Sequence, residues 1–136
     1  MKKKIHKIKE ELENDFSIIG IVSSASSHKL SWTINNLFKI NLQLQEDSYL
    51  SSKDSSQNFA FYSSAENNIK LISNKSDRCI LFSKLKNIDY FLKIENNYKD
   101  INELVNILKS SKIAQAILSI NIDTLSKSQK KIFVNI

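Results

Sequence analysis

The residues best suited to binding are few, and one group of them lies near the start of the chain. Ser26, Ser27 and His28 follow an apolar run that contains the only glycine of the chain. Hydroxyls and unpaired N–H groups at the start of a helix favour anions, so these three residues are a candidate site for a small ligand. A serine-capped loop with a solvent-exposed histidine explains the same pattern more simply, because phosphate-binding turns use more glycine.

Asp89 and Tyr90 are the nearest approach to an acid/base pair. Neighbouring residues of a strand point to opposite faces, so we do not expect these side chains to act on one substrate. We predict that Tyr90 belongs to the core and that Asp89 is a surface carboxylate or binds a turn. No catalytic residue is predicted, and the pattern favours a protein that is not an enzyme.

Histidine and cysteine are too sparse to predict a metal centre. His6 and His28 are the only histidines, and neither has a carboxylate or second histidine at the spacing of helical metal ligands. The single cysteine, Cys79, opens an apolar run, which is typical of a small buried side chain rather than a nucleophile. We expect no metal and no cofactor. A cytoplasmic location is expected, since one cysteine cannot form an internal disulfide.

Trp32 is predicted to lie on the outer face of a helix. The apolar stripe of that helix consists of Leu30, Ile34, Leu37 and Phe38. At about 100° per residue, Trp32 falls close to the opposite face, beside Asn35 and Asn36. Tryptophan is over-represented at binding surfaces, so these three residues are a candidate site for a protein partner. Cover by another part of the same chain is the alternative.

The chain is basic, with a formal net charge of +6. Phosphate contacts need only a cluster of lysines, so an RNA- or ribosome-associated protein is the alternative function. Arg78 is the only arginine, which disfavours specific base recognition, and a solvated lysine-rich surface explains the charge more simply. The candidate nucleic-acid surface consists of Lys84, Lys86, Lys127, Lys130 and Lys131.

Hydrophobic patterns predict one α+β domain over residues 1–136. Two helices are predicted, one beginning after Ser26 or Ser27 and one after Asp100. We predict a single, mainly antiparallel sheet with two helices on one face and βαβ units at both ends, as in ferredoxin-like or ACT-like folds. The predicted strands cover residues 16–23, 40–44, 59–63, 69–73, 79–82, 88–94 and 113–122.

Three segments fall outside these main elements. Residues 46–58 are predicted to form an exposed loop, and residues 124–136 a flexible C-terminal tail. Residues 1–13 fit an added edge strand slightly better than a helix. No apolar run is long enough to cross a bilayer, so no membrane contact is predicted.

The segment 82–90 ends in Ile88, Asp89 and Tyr90 and resembles the signature of the bacterial IPExxxVDY family. Its last three residues match VDY conservatively, whereas Phe82, Ser83 and Lys84 occupy the IPE positions. The resemblance implies a bacterial cytosolic protein without an established activity, and it carries no catalytic residue to this chain. Further matches are Ile19-Gly20-Ile21, Leu30, Trp32, Asn35, Ser73-Asn74-Lys75, Lys127-Ser128-Gln129 and Ile132-Phe133.

Together these patterns favour a non-catalytic cytosolic interaction or regulatory module with a protein partner still to be identified. The RNA-associated protein is the first alternative. An ACT-like small-ligand binder, using the turn between Gly20 and His28, is the second. A homodimer formed through a sheet edge is compatible with each of them.

Overall fold

The computed structural model describes residues 16–45, 61–64, 66, 69–75, 80–95 and 101–135. The predictions for residues 1–13, His6, residues 46–58 and Cys79 lie outside these ranges. The strands are β1 (Phe16–Val22), β2 (Gln43–Leu44), β3 (Phe61–Ser64), β4 (Ile69–Ser73), β5 (Tyr90–Glu95) and β6 (Ala116–Ile120). The α-helices are α1 (Ser27–Phe38), α2 (Ile101–Ser111) and α3 (Lys127–Asn135), and 3-10 turns cover Ser83–Leu85 and Ile122–Thr124.

The six described strands form one sheet in the order β2-β3-β4-β5-β1-β6. Each neighbouring pair is antiparallel, so β1 and β2 run in the same direction, as do β5 and β6. Helices α1 and α2 therefore each connect two parallel strands, and the predicted α+β fold with a βαβ unit at both ends is confirmed. Because β1 lies between β5 and β6, the second unit is a split βαβ, as in ferredoxin-like folds.

Both long helices pack on the same face of the sheet, as predicted. Strand residues alternate between the two faces, so Ile19 and Ile21 of β1 point towards the helices and Ile18 points away. Helix α1 begins at its N-cap Ser26 and ends at Lys39, whose φ of 59° reverses the chain. The helix side chains buried in this core are Leu30, Ile34 and Phe38 of α1 and Leu104 and Leu108 of α2.

The second face of the sheet is covered by α3 and by the segment around the Ser83–Leu85 turn. Phe133 of α3 is fully buried and stacks on Phe82 with ring centroids 4.5 Å apart. Phe91 of β5 meets both rings edge-on, at 5.0 and 5.2 Å. Aromatic clusters of this kind add to the stability from area burial. The region predicted as a flexible tail therefore contains a helix whose Phe133 is part of the core.

Gly20 of β1 allows the second face to close. A Cβ at this position would lie 3.0 Å from Cδ1 of Ile88 and 3.1 Å from Cδ1 of Ile120. Both distances are shorter than ordinary van der Waals contact, so any larger residue would push these side chains apart. The glycine is needed for close packing rather than for an unusual backbone conformation.

Three predicted strands differ from those observed. The strand predicted at 113–122 is shortened to Ala116–Ile120 and is followed by the Ile122–Thr124 turn. The strand predicted at 40–44 is limited to Gln43–Leu44, because the side chain of Asn35 binds both the N–H and the carbonyl of Leu42. In the run predicted as a strand at 79–82, Ile80 forms an isolated bridge with Lys75, and the chain then enters the Ser83–Leu85 turn. Among the described helices, none has the length and apolar character needed to span a bilayer.

Candidate functional site

The connection between β1 and α1, which we call the serine turn (residues 23–27), is held by its own hydroxyls. The Ser26 hydroxyl accepts the N–H of Lys29 at 3.1 Å and so caps α1. The Ser23 hydroxyl donates to the carbonyl of Ile113 at 2.8 Å and accepts the N–H of Ala25 at 3.1 Å. These contacts satisfy groups of the fold, as in ordinary helix capping.

Asp89 and Tyr90 both bind the serine turn. One carboxylate oxygen of Asp89 accepts the N–H of Ser23 at 2.9 Å, and the other accepts Nζ of Lys75 at 2.7 Å. The hydroxyl of Tyr90 donates to the carbonyl of Ala25 at 2.7 Å. The predictions that Asp89 binds a turn and that Tyr90 belongs to the core are confirmed. Asp89 precedes β5, so the alternation of strand residues does not separate the two side chains, and both reach the same turn. That they do not act on one substrate stays a prediction.

The hydroxyl of Tyr90 is held in its neutral form. Burial raises the pKa of Tyr90 above the ordinary value of 10.0, and the negative charge of Asp89 and the presence of Tyr62 raise it further. The hydroxyl of Tyr62 lies 3.4 Å from Oγ of Ser27, on the same side of the turn. A tyrosine whose pKa is raised is a hydrogen-bond donor at neutral pH, so it suits a structural role better than that of a base.

The side chain of Asn74, fully buried beyond the end of β4, organises the segment 81–88. Its amide donates to the carbonyls of Leu85 at 3.0 Å and Ile88 at 2.8 Å. Its side-chain oxygen accepts the N–H of Phe82 at 2.8 Å. These three bonds fold the segment over the second face, since they satisfy buried backbone groups outside the sheet ladder.

The predicted partner site is brought together only in part. Trp32 is 64% exposed on α1, and the exposed Asn36 donates its amide to the carbonyl of Trp32 at 2.8 Å. Asn35 is half-buried and its side chain is used in holding Leu42, so it belongs to the fold.

Two exposed lysines that the sequence reasoning missed lie along the helix with Trp32. We call Lys29, Trp32, Asn36 and Lys39 the outer stripe of α1; all four are exposed. The spacing of three and four residues keeps Lys29, Trp32 and Asn36 on one face of the helix, and Lys39 follows three residues later at the C-cap. This spacing could have revealed both lysines. The described part of α1 contains no acidic residue.

The candidate nucleic-acid lysines lie on two segments that contact each other. Lys84 and Lys86 are exposed at the Ser83–Leu85 turn, and this turn joins α3 through the stack of Phe82 on Phe133. Lys127 and Lys131 are exposed on α3. Lys130 is half-buried with Nζ 3.9 Å from a carboxylate oxygen of Asp123, so part of its charge is compensated.

The described contacts of the candidate ligand residues are contacts within the fold. Ser26 and Ser27 make the contacts given above, and His28 is exposed while its carbonyl accepts the hydroxyl of Ser31 at 2.9 Å. A polar groove of about 220 Å³ lies elsewhere, along β2 and β3. This groove is lined by Asn41, Gln43, Gln45, Ser63, Ser64 and Glu66.

Within the described ranges, no three of His, Cys, Asp and Glu lie close enough together to hold a metal ion.

One buried cation was not foreseen from the sequence. Lys93 of β5 is 5% exposed on the second face, with Nζ 4.5 Å from the ring centroid of Phe16. Burial lowers the pKa of Lys93, its neighbour Lys70 lowers it further, and Glu95 acts in the opposite direction. The contact with an aromatic face partly replaces the water that the ammonium group has lost.

A scan against protein-family models and a search of curated proteins both found no match. The resemblance to the IPExxxVDY family therefore stays a prediction. Of the residues that carry it, Gly20, Asn74, Asp89 and Tyr90 have the packing and hydrogen-bonding roles described above.

Proposed function

We propose that this protein is a non-catalytic interaction module that binds a protein partner through the outer stripe of α1. The exposure of Trp32 carries the proposal, because an indole that is 64% exposed on a helix has a large apolar area left to bury. Residues that dominate binding energy in interfaces are enriched in tryptophan. The inner face of the same helix is already packed against the sheet, which leaves the outer stripe available for a partner.

The contacts of the other candidate residues support this choice. Asp89, Tyr90 and Ser26 each satisfy backbone groups of the serine turn or of α1. A side chain that is removed from such a contact leaves a polar group unpaired, so using these residues in a reaction would carry a cost in stability. Among the described residues, the indole of Trp32 has no comparable task, and Asn36 binds the backbone carbonyl of Trp32 rather than its side chain.

The charges around Trp32 indicate the chemistry of the partner. Lys29 and Lys39 lie on either side of Trp32 along the outer stripe, about 15 Å apart at a helical rise of about 1.5 Å per residue. A protein surface with an apolar pocket and acidic residues at its rim complements this arrangement, and rim charges mainly increase the rate of association. We therefore expect partner binding to weaken as salt concentration rises.

Affinity capture from the cell of origin tests the proposal, with the full chain as bait. Three baits are compared: wild type, Trp32→Ala, and the control Leu44→Ala. Leu44 is a matched control because it is a large apolar residue, 51% exposed, on a different element. The proposal predicts that Trp32→Ala loses the partner and that Leu44→Ala keeps it. Equal recovery of the same partner on all three baits would contradict it, provided that circular dichroism shows the variants to be folded.

RNA binding is a second candidate, supported by the contact between the two lysine-bearing segments. The stack of Phe82 on Phe133 holds the Ser83–Leu85 turn against α3, so their lysines belong to neighbouring parts of the surface. Fluorescence anisotropy with a labelled single-stranded RNA tests this candidate. Binding through phosphates must weaken steeply with salt, and Lys84→Glu with Lys86→Glu must weaken it further. Failure to bind at low salt eliminates this function.

A further inference from the structure

Strand β6 is the last strand on its side of the described sheet, and its own residues lack the usual protection of a sheet edge. It pairs with β1 on one side, and no described strand pairs with its other side. Residues 113–122 contain no charged residue, although 25% of the chain is charged. Exposed sheet edges are normally protected by lysine, proline or a bulge, because their free N–H and carbonyl groups attract other strands.

The middle of β6 also exposes an apolar side chain. Leu118 is 45% exposed and is the register partner of Gly20. Since Gly20 has no side chain, Leu118 has no side-chain neighbour directly opposite it in β1. Apolar area is thus available beside the free strand edge, and a further strand there would cover it.

We propose that β6 pairs with β6 of a second copy of this chain, antiparallel and about a two-fold axis at Leu118. Each Leu118 then lies opposite its symmetry mate, and Ala116 of one copy lies opposite Ile120 of the other. Two-fold contacts of this kind bring a surface onto itself and are the commonest in homo-oligomers. The sheets of the two copies become continuous, and the outer backbone groups of β6 gain partners.

The charges that bracket the uncharged stretch favour this arrangement. Lys112 precedes it and Asp123 follows it, and both are exposed. Antiparallel pairing places Lys112 of each copy near Asp123 of the other at both ends of the shared strand pair. Parallel pairing would place like charges side by side instead, which is unfavourable.

The mass in solution tests the proposal directly. Light scattering after size-exclusion chromatography should give about twice the monomer mass of 15.6 kDa for the wild-type chain, falling towards 15.6 kDa on dilution. Leu118→Lys should be monomeric, because it places two ammonium groups against each other on the two-fold axis. Leu44→Lys, at an exposed leucine on the opposite edge strand, should remain dimeric. A wild type of 15.6 kDa at every concentration, or a dimer that survives Leu118→Lys, would overturn the proposal.

A charge exchange provides a second test that does not alter β6. Lys112→Asp and Asp123→Lys should each weaken the dimer, on the order of tenfold for two symmetric contacts. The double variant should recover the wild-type dissociation constant, since it reverses both charges of each pair. Equal dimerisation by all four proteins would contradict the antiparallel arrangement.

Discussion

Asn74→Ala should be among the most destabilising single substitutions in the described part of this protein. The side chain of Asn74 is fully buried and makes three hydrogen bonds, all to backbone groups of the segment 81–88. Alanine leaves the carbonyls of Leu85 and Ile88 and the N–H of Phe82 without these partners. The substitution also releases Phe82, whose ring contacts Phe91 and Phe133 in the second core.

The expected cost follows from the number of groups left unpaired. A buried polar group without a partner costs about 1–3 kcal/mol. The carbonyl of half-buried Leu85 still accepts the N–H of Ile88 at 3.0 Å, so the groups left unpaired are those of the buried Phe82 and Ile88. We expect Asn74→Ala to lower the free energy of unfolding by about 3–5 kcal/mol, a large part of the roughly 5–15 kcal/mol typical of a domain.

Urea denaturation of Asn74→Ala beside Asn36→Ala measures this effect. Asn36 is the matched control, because it is an exposed asparagine on α1 with one described side-chain bond, to the carbonyl of Trp32. Alanine has the higher helix propensity, so the control should change stability by less than about 0.5 kcal/mol. A loss below about 1 kcal/mol for Asn74→Ala would refute the role given to this residue.

Three further substitutions have defined outcomes. Tyr90→Phe should lower the free energy of unfolding by about 1 kcal/mol near neutral pH. The pKa of Tyr90 is raised in the folded state, so the wild type should lose stability as the pH rises through that folded-state pKa. Phenylalanine should reduce this loss in urea melts above pH 10.0. Gly20→Ala should lower the free energy of unfolding by about 1–3 kcal/mol, since its Cβ meets Ile88. Its thermal midpoint should fall, whereas that of the control Ser24→Ala should stay near the wild-type value. Asn35→Ala should lower the free energy of unfolding by about 1–2 kcal/mol, because it removes the acceptor of the Leu42 N–H. Hydrogen exchange at the Leu42 amide should become faster, and an unchanged rate would contradict this.

Local patterns were sufficient for the elements that depend on local interactions. The strand predicted over 16–23 is observed at Phe16–Val22, because its apolar, β-branched residues are buried on both faces. Helix α1 was recognisable from its Ser26 cap and its apolar stripe, both of which lie within a few residues of each other. The overall α+β architecture followed from the order of such elements.

The features that were missed depend on contacts between distant residues. Helix α3 was expected to be a flexible tail, and only the stack of Phe133 on Phe82 shows why it packs. The segment 79–82 has the composition of a strand, but the side chain of Asn74 binds the N–H of Phe82 and draws the chain into a turn. Periodicity within one segment carries no information on either contact.

The candidate site was likewise predictable only where its features depend on local geometry. The exposure of Trp32 followed from helical geometry, and the structure agrees with it. That Asn35 serves the fold was not predictable, because its partner Leu42 lies beyond the end of the helix. That Asp89 and Tyr90 both bind the serine turn was not predictable, because this turn is more than 60 residues away in the chain.

The fluorescence of Trp32 tests the central claim most directly, because it is the only tryptophan of the chain. In the isolated protein its emission should be that of a hydrated indole and should be strongly quenched by iodide. The purified protein that the wild-type bait captures is then added in saturating amounts, and any tryptophan emission of its own is subtracted. Its binding should shift the emission of Trp32 to the blue and protect Trp32 from iodide. Unchanged emission and unchanged quenching in the saturated complex would show that Trp32 stays in water and that the partner binds elsewhere.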